Sequence, residues 1–119
     1  MSGERDVRSL VEDMVLACEH VVAVTRGISD AQLLDENDLF YGDMLHQMTL
    51  MGEAAKHVPE RLRGSRPEIP WTRIAGLRDM IVHHYFGLDS DVLIDVVRQT
   101  VPRDLPVLRS LLAELEAED

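Results

Sequence analysis

Hydrophobic residues recur at three- and four-residue steps along most of this chain, which is the spacing of one face of an α-helix. The first such run predicts an amphipathic helix over residues 7–25, and Gly27 is placed to end it. Ser29 has capping-box spacing to Gln32 and predicts a short helix over residues 30–34. The face of the first helix comprises Val7, Leu10, Val11, Met14, Cys18, Val21, Val22 and Thr25.

A second long helix follows the acidic run at residues 35–38, which supplies cap candidates and favourable negative charge at its start. Pro59 lacks an amide donor and is expected to kink or stop the helix, with a further turn before Gly64. Gly52 costs helix stability, so it predicts close backbone approach by another helix. The methionine-rich face favours core filling over an adaptable binding groove. It comprises Phe40, Met44, Met48, Met51, Ala55 and Val58.

The third long helix is predicted from Trp71 to Tyr85, after a loop over residues 63–70. Glycine and proline punctuate that loop, and Pro70 suits the first turn of a helix. Trp71 is expected to be buried at the start of the helix. The rest of its predicted buried side is Ile74, Leu77, Ile81 and Val82.

The last predicted helical stretch begins after Gly87, where Asp89 and Ser90 recap the chain. Pro102 and Pro106 are expected to kink or divide it, and the charged tail over residues 114–119 to fray. Its apolar positions are Val92, Leu93, Val96, Val97, Leu105, Leu108, Leu111, Leu112 and Leu115, together with Thr100. The chain has no run of alternating apolar and polar residues, so no strand is predicted. The pattern therefore predicts an all-α, up-and-down bundle of four main helices plus short helices, as one domain over residues 1–119.

Composition narrows the class of protein. The single cysteine, Cys18, excludes an internal disulfide and lies among apolar residues, so we interpret it as a buried small hydrophobe. No apolar run is long enough to span a bilayer and the amino terminus has no signal-peptide pattern, so a cytoplasmic location without membrane partners is expected.

The net charge of −10 argues against non-specific binding of nucleic acid. The distribution of charge softens this objection, because six of the twelve Lys and Arg residues lie within residues 56–78. This basic segment is either a solvated loop or a positive field beside a functional site. Under the second interpretation Arg66 and Arg73 are weak candidates for RNA binding.

The candidate chemistry lies in residues 78–85, which read Arg-Asp-Met-Ile-Val-His-His-Tyr. Arg78 is a permanent cation with a fixed fork of donors for phosphate oxygens, and a histidine such as His83 can move a proton near neutral pH. Five residues turn an ideal helix by roughly 500°, which leaves Arg78 and His83 about 140° apart. Either the helix bends near its end, or a second copy of the chain completes the site.

The context of this octapeptide resembles the HepT-like branch of the HEPN superfamily, whose signature is Arg, four residues, His, one residue and Tyr. The resemblance extends over residues 7–112. Its segments are Ile-Pro-Trp at 69–71, Phe-Gly-Leu-Asp at 86–89, Gly-Glu-Ala-Ala at 52–55 and Asp-Leu-Pro at 104–106.

The resemblance implies a homodimeric ribonuclease toxin whose two motifs meet across the interface. It implies that His83 is the general acid and base for attack of a 2′-hydroxyl on the adjacent phosphate, and that Arg78 stabilises the developing charge. It further implies a nucleotidyltransferase antitoxin as partner, which silences the toxin by transferring AMP to Tyr85. No cofactor and no metal are implied.

Asp79 departs from the family pattern, which usually has a neutral polar residue, commonly Asn, after the arginine. A carboxylate that points into the site would repel phosphate, whereas one that pairs with Arg78 or orients His83 would support the site. An alternative function therefore stays open, namely a non-catalytic helical module that binds a nucleotidyltransferase, RNA or a nucleotide. Glu53 and His57 have the spacing of two metal ligands on one helix face, but a surface pair is the favoured interpretation.

Overall fold

The computed structural model describes residues 6–118, and within this range the chain forms helices joined by turns, with no strand. The predicted all-α class is confirmed. Residues 1–5 and Asp119 lie outside the described range. Residues 1–5 include most of the amino-terminal segment that was expected to lack a signal peptide. The helices are α1 (Val7–Thr25), α2 (Asp30–Leu33), α3 (Leu39–His57), α4 (Glu60–Ser65), α5 (Trp71–His83), α6 (Ser90–Asp95) and α7 (Val101–Ala117).

Capping explains where several helices begin. The side chain of Asp6 accepts a hydrogen bond from the Arg8 amide, that of Ser29 from the Gln32 amide, and that of Asp38 from the Phe40 amide. Each bond satisfies an amide that has no partner within its helix. Beyond α1, Gly27 has φ of 80°, a conformation that glycine adopts without steric cost.

The core lies where α3 packs between α1 and α5, while α7 covers the other side of α1. The methionines of α3 fill this core, as predicted: Met44, Met48 and Met51 are all buried. Phe40, assigned to the same face, is only partly buried. Cys18 is buried against Met51, with 3.2 Å between the two sulfur atoms. The residues with no more than 1 % exposure include Val11, Met14, Val21, Leu33, Ala55, Ile69, Leu93, Leu108 and Leu111.

Trp71 is buried at the start of α5, and its indole nitrogen donates a 3.0 Å hydrogen bond to the carbonyl oxygen of Arg66. Two expectations for this helix are corrected. Val82 is 52 % exposed, because it follows the buried Ile81 by about 100° of helical rotation. The helix ends at His83 and not at Tyr85, because His84 leaves helical geometry with φ of −127°.

A wide π-helical turn over Val96–Thr100 joins α6 to α7. Pro102 follows two residues after the turn, and a proline ring crowds the carbonyl four residues earlier, so a wider turn relieves this clash. The predicted interruption therefore lies before Pro102, whereas Pro106 is held inside α7. The described part of the tail, which was expected to fray, is helical as far as Ala117, and Glu114 is paired with Arg66.

None of the helices between residues 6 and 118 combines the length and the apolar composition that crossing a bilayer requires.

Candidate active site

The middle of α5 lies directly against α3, at Gly52. A Cβ atom built on Gly52 would be 2.8 Å from the backbone nitrogen of Arg78 and 2.9 Å from the carbonyl oxygen of Ile74. Real Cβ atoms do not approach backbone so closely, so only glycine permits this packing. The predicted close approach at Gly52 is confirmed, and it brings Glu53 and Lys56 of α3 beside the motif on α5.

Arg78 is held by two carboxylates. Its Nη1 donates a 3.0 Å hydrogen bond to Oδ1 of Asp79, and its Nε lies 3.6 Å from Oε2 of Glu53. Lys56 adds a second cation, with its Nζ 3.9 Å from the same Asp79 oxygen. The side chains of these four residues are between 37 % and 51 % exposed. Because water screens such pairs, an incoming phosphate can exchange for either carboxylate at modest cost.

The carboxylate of Asp79 points toward Arg78 and pairs with it, which is one of the orientations considered from the sequence. The hydrogen bond from Arg78, followed by the positive charge of Lys56, holds the pKa of the Asp79 carboxyl below its usual value. His83 contributes a smaller effect in the same direction, because it lies four residues on and shares a helix face with Asp79. Within residues 6–118 no hydrogen bond joins Asp79 to the His83 ring.

His83 is the last residue of α5 and is exposed. The α-helix is continuous from Trp71 to His83, so Arg78 and His83 keep helical spacing along it. Their side chains diverge by about 140° around the axis. The neighbouring His84 is also exposed, and its amide closes the helix on the carbonyl oxygen of Met80. A single chain therefore presents the two groups on different faces.

Tyr85 and Phe86 lie in a 3₁₀ turn over Tyr85–Gly87 that follows the motif helix. Tyr85 is 49 % exposed and Phe86 is 97 % exposed. The two rings pack edge to face, with centroids 5.1 Å apart and an angle of 83° between their planes. Tyr41, the other tyrosine of the chain, is buried, and burial, followed by the nearby Glu36 and Tyr85, raises the pKa of its phenol.

Much of the basic segment is engaged elsewhere. Arg63 caps the carboxyl end of α3 through hydrogen bonds to the carbonyl oxygens of Ala55, Lys56 and Val58. Arg66 is paired with Glu114 and is mostly buried. Arg73 lies 2.6 Å from Asp95, with half of its side chain exposed. The structure does not bring the two candidate RNA-binding arginines into the cluster around Arg78.

The predicted surface pair of Glu53 and His57 is present, and two further polar contacts at and near this surface were not predicted from the sequence. Glu53 contacts His57 on its own helix at 3.2 Å as well as Arg78 on α5. His20 and Asp43 join α1 to α3 at 2.6 Å, although the sequence offered no partner for this histidine. Gly52 predicted that another helix packs beside this part of α3, but not which residue Glu53 contacts. No group of three or more His, Cys, Asp or Glu side chains in the described part of the chain could hold a metal ion.

Comparison with known proteins identifies similar chains. The family model described as "Ribonuclease HepT-like" matches residues 14–114. A protein of Thermococcus cleftensis named "Probable ribonuclease HepT" is 31 % identical over 83 % of this chain and 89 % of its own length. A protein of Methanocaldococcus jannaschii named "Putative RNase MJ0127" is 28 % identical over 98 % of this chain and 95 % of its own. No solved structure matches the chain.

Proposed function

Because the chain belongs to the HepT-like ribonuclease family, we propose that it is the toxin of a toxin–antitoxin pair and a metal-independent endoribonuclease. The observation that carries this proposal is the placement of Arg78 and His83 on one helix, both reachable from solvent, inside the region that the family matches. RNA is the substrate, and the reaction takes place in the cytoplasm.

His83 takes the proton from a ribose 2′-hydroxyl as its oxygen attacks the adjacent phosphorus, and returns a proton to the departing 5′-oxygen. The bond from phosphorus to the 5′-oxygen breaks, which leaves a 2′,3′-cyclic phosphate and a 5′-hydroxyl. Arg78 binds the non-bridging oxygens, whose negative charge grows in the transition state. The exchangeable contacts of Arg78 with Asp79 and Glu53 keep its guanidinium positioned until phosphate replaces them.

A homodimer completes this site. Since Arg78 and His83 lie about 140° apart around one continuous α-helix, Arg78 of one protomer and His83 of its partner are the groups that converge on one phosphate. Light scattering and sedimentation at micromolar concentration should give twice the mass of 13.5 kDa. A monomer that cleaves RNA would exclude the composite site.

The decisive experiment is incubation of RNA with the protein in excess EDTA. The wild-type protein should cleave, and Arg78→Ala and His83→Ala should abolish cleavage while retaining helical circular dichroism. Arg61→Ala and His84→Ala are matched controls, since both residues are exposed and neither is assigned to the site. Full activity in either site variant, or cleavage that requires added metal, would contradict the assignment.

A second function is supported by the two carboxylates on Arg78. In that case the protein is a non-catalytic helical module that binds the nucleotidyltransferase, RNA or a nucleotide. RNA binding without products in the same EDTA experiment would select it.

A further inference from the structure

Phe86 is the most exposed large hydrophobic side chain in the described part of the protein, at 97 %. It lies three residues beyond His83, and two neighbours in this region are also half exposed, namely Val82 at 52 % and Tyr85 at 49 %. Scattered exposed apolar residues are ordinary on a protein surface. An aromatic ring that is almost fully exposed beside the proposed phosphate-binding motif is a candidate contact for a ligand.

The local structure holds the backbone that carries the ring. The amide of Gly87 donates a 2.8 Å hydrogen bond to the carbonyl oxygen of His84, which closes the turn that carries Phe86. The edge-to-face contact with Tyr85, at 5.1 Å between centroids, restrains the ring further. A ligand that stacks on Phe86 therefore meets a backbone turn that is already closed.

The size and surroundings of this surface indicate the kind of ligand. A fully buried aromatic side chain supplies about 150–250 Å², whereas each partner in a standard protein interface buries roughly 800 Å². The ring suits a single planar group better than a protein surface. Arg78 provides a permanent cation and His83 a proton donor close by in the sequence, and bases of unpaired RNA stack on aromatic rings beside such phosphate contacts.

We propose that Phe86 is a stacking platform for one unpaired base of the RNA, next to the phosphate bound by Arg78 and His83. This inference rests on the proposed function and deepens it by naming the substrate class. A base inside a duplex is already stacked on both faces, so it cannot use the platform. The substrate is therefore RNA that is single-stranded at the cleavage position.

The test compares Phe86→Ala, Phe86→Leu and Phe86→Trp with Leu39→Ala, a control at a side chain that is 91 % exposed at the start of α3. Affinity is measured for a single-stranded oligoribonucleotide and for its duplex, and helicity and mass are recorded for each variant. Phe86→Ala and Phe86→Leu should bind the single strand about 5- to 150-fold more weakly, the range for loss of one stacked base. Phe86→Trp and Leu39→Ala should bind like wild type, and affinity for the duplex should not change.

Phe86→Trp also gives a direct signal, because Trp71 is buried and the new indole would be the exposed one. Single-stranded RNA should quench its fluorescence and the duplex should not. Unchanged affinity in Phe86→Ala and Phe86→Leu, in a protein that still cleaves RNA, would overturn the platform and leave the proposed function intact. A change of oligomeric mass in these variants would show that Phe86 is a protein contact. Wild-type protein that neither binds nor cleaves RNA removes both proposals.

Discussion

Gly52 and Arg78 are in direct backbone contact, because a Cβ atom at Gly52 would lie only 2.8 Å from the Arg78 nitrogen. This contact sets the distance between α3 and α5 at the level of the motif. It also places Glu53, the next residue of α3, within 3.6 Å of the Arg78 guanidinium. One glycine thus links the packing of two core helices to the position of the proposed phosphate-binding group.

Gly52→Ala should destabilise the protein by roughly 1–3 kcal/mol, the usual effect of overpacking. The higher helix propensity of alanine acts in the opposite direction by about 1 kcal/mol. The overlap should dominate, because the contacted atoms are backbone and cannot rotate away. Gly42→Ala is the matched control on the same helix, where the added methyl group meets nothing within 4 Å and should stabilise. Urea unfolding of both variants measures the difference, and equal stabilisation would show that α5 moves aside freely.

Trp71→Ala should lower the free energy of unfolding by about 3–5 kcal/mol, because the side chain is buried and its indole donates to the Arg66 carbonyl. Trp71→Phe should lose less, since it retains most of the apolar volume. Leu39→Ala removes an exposed side chain and should stay within about 0.5 kcal/mol of wild type. Thermal melts measure all three, and an unchanged midpoint in Trp71→Ala would contradict the packing.

The helices could be predicted from the sequence because periodicity and caps are local signals. Asp38 and Pro59, for example, mark the ends of α3 within two residues. Pro102 likewise predicted an interruption, but not that it takes the form of a wide turn. The end of α5 lies two residues before the predicted one, at His83. The methionine-rich face of α3 was assigned correctly to the core, because an amphipathic helix buries its apolar face against the rest of the protein.

The candidate site was predictable only within its own helix. The octapeptide supplied Arg78, Asp79 and His83, and the shared face of Asp79 and His83 follows from their spacing. The contact of Arg78 with Glu53 was not predictable, because it depends on the rotation of α3 against α5 and joins residues 25 positions apart. The contact of His20 with Asp43 is of the same kind, at a separation of 23.

Cys18 gives a pH-dependent prediction. Burial raises the pKa of its thiol from 9.0 to about 12, with smaller contributions from Asp104 and Glu19. Above pH 9 the unfolded chain loses this proton while the folded chain keeps it, so the free energy of unfolding should fall as pH rises toward 12. Cys18→Ala should lack this component of the decline. Urea titrations at several alkaline pH values measure the slope, and parallel curves for the two proteins would contradict it.

Tyr85 is the predicted site of AMP transfer by the nucleotidyltransferase, and this expectation rests on the proposed function. Its ring is half exposed, whereas Tyr41 is buried and inaccessible to a modifying enzyme. Incubation with the cognate enzyme and ATP should add AMP to Tyr85 and silence cleavage, because the added phosphate competes for the cationic site. Tyr85→Phe should keep its activity and escape silencing, while Tyr41→Phe should still be silenced. Peptide mass spectra that place AMP on Tyr41, or none on the protein, would exclude Tyr85.

Asp79→Asn tests whether the acidic neighbour restrains Arg78. The carboxylate accepts a hydrogen bond from Arg78 and lies 3.9 Å from Lys56, so its removal frees two cations for phosphate. RNA should bind more tightly, by roughly fivefold at low ionic strength, and the gain should shrink as salt screens the charges. Glu53→Gln should act in the same direction, whereas Glu116→Gln, an exposed acid near the end of α7, controls for net charge.

The pH dependence of stability and of cleavage distinguishes restraint of Arg78 by Asp79 from the alternative in which Asp79 positions His83. Arg78 and Lys56 lower the pKa of Asp79, so its pairing stabilises the fold at neutral pH, and that contribution is lost as pH falls through the lowered value. The stabilities of wild type and Asp79→Asn should therefore converge in acid. If Asp79 instead positions His83, Asp79→Asn should cleave more slowly and its pH optimum should move downward, because a nearby carboxylate favours the protonated imidazole. Tighter binding with an unmoved pH optimum would assign Asp79 to restraint of Arg78 alone.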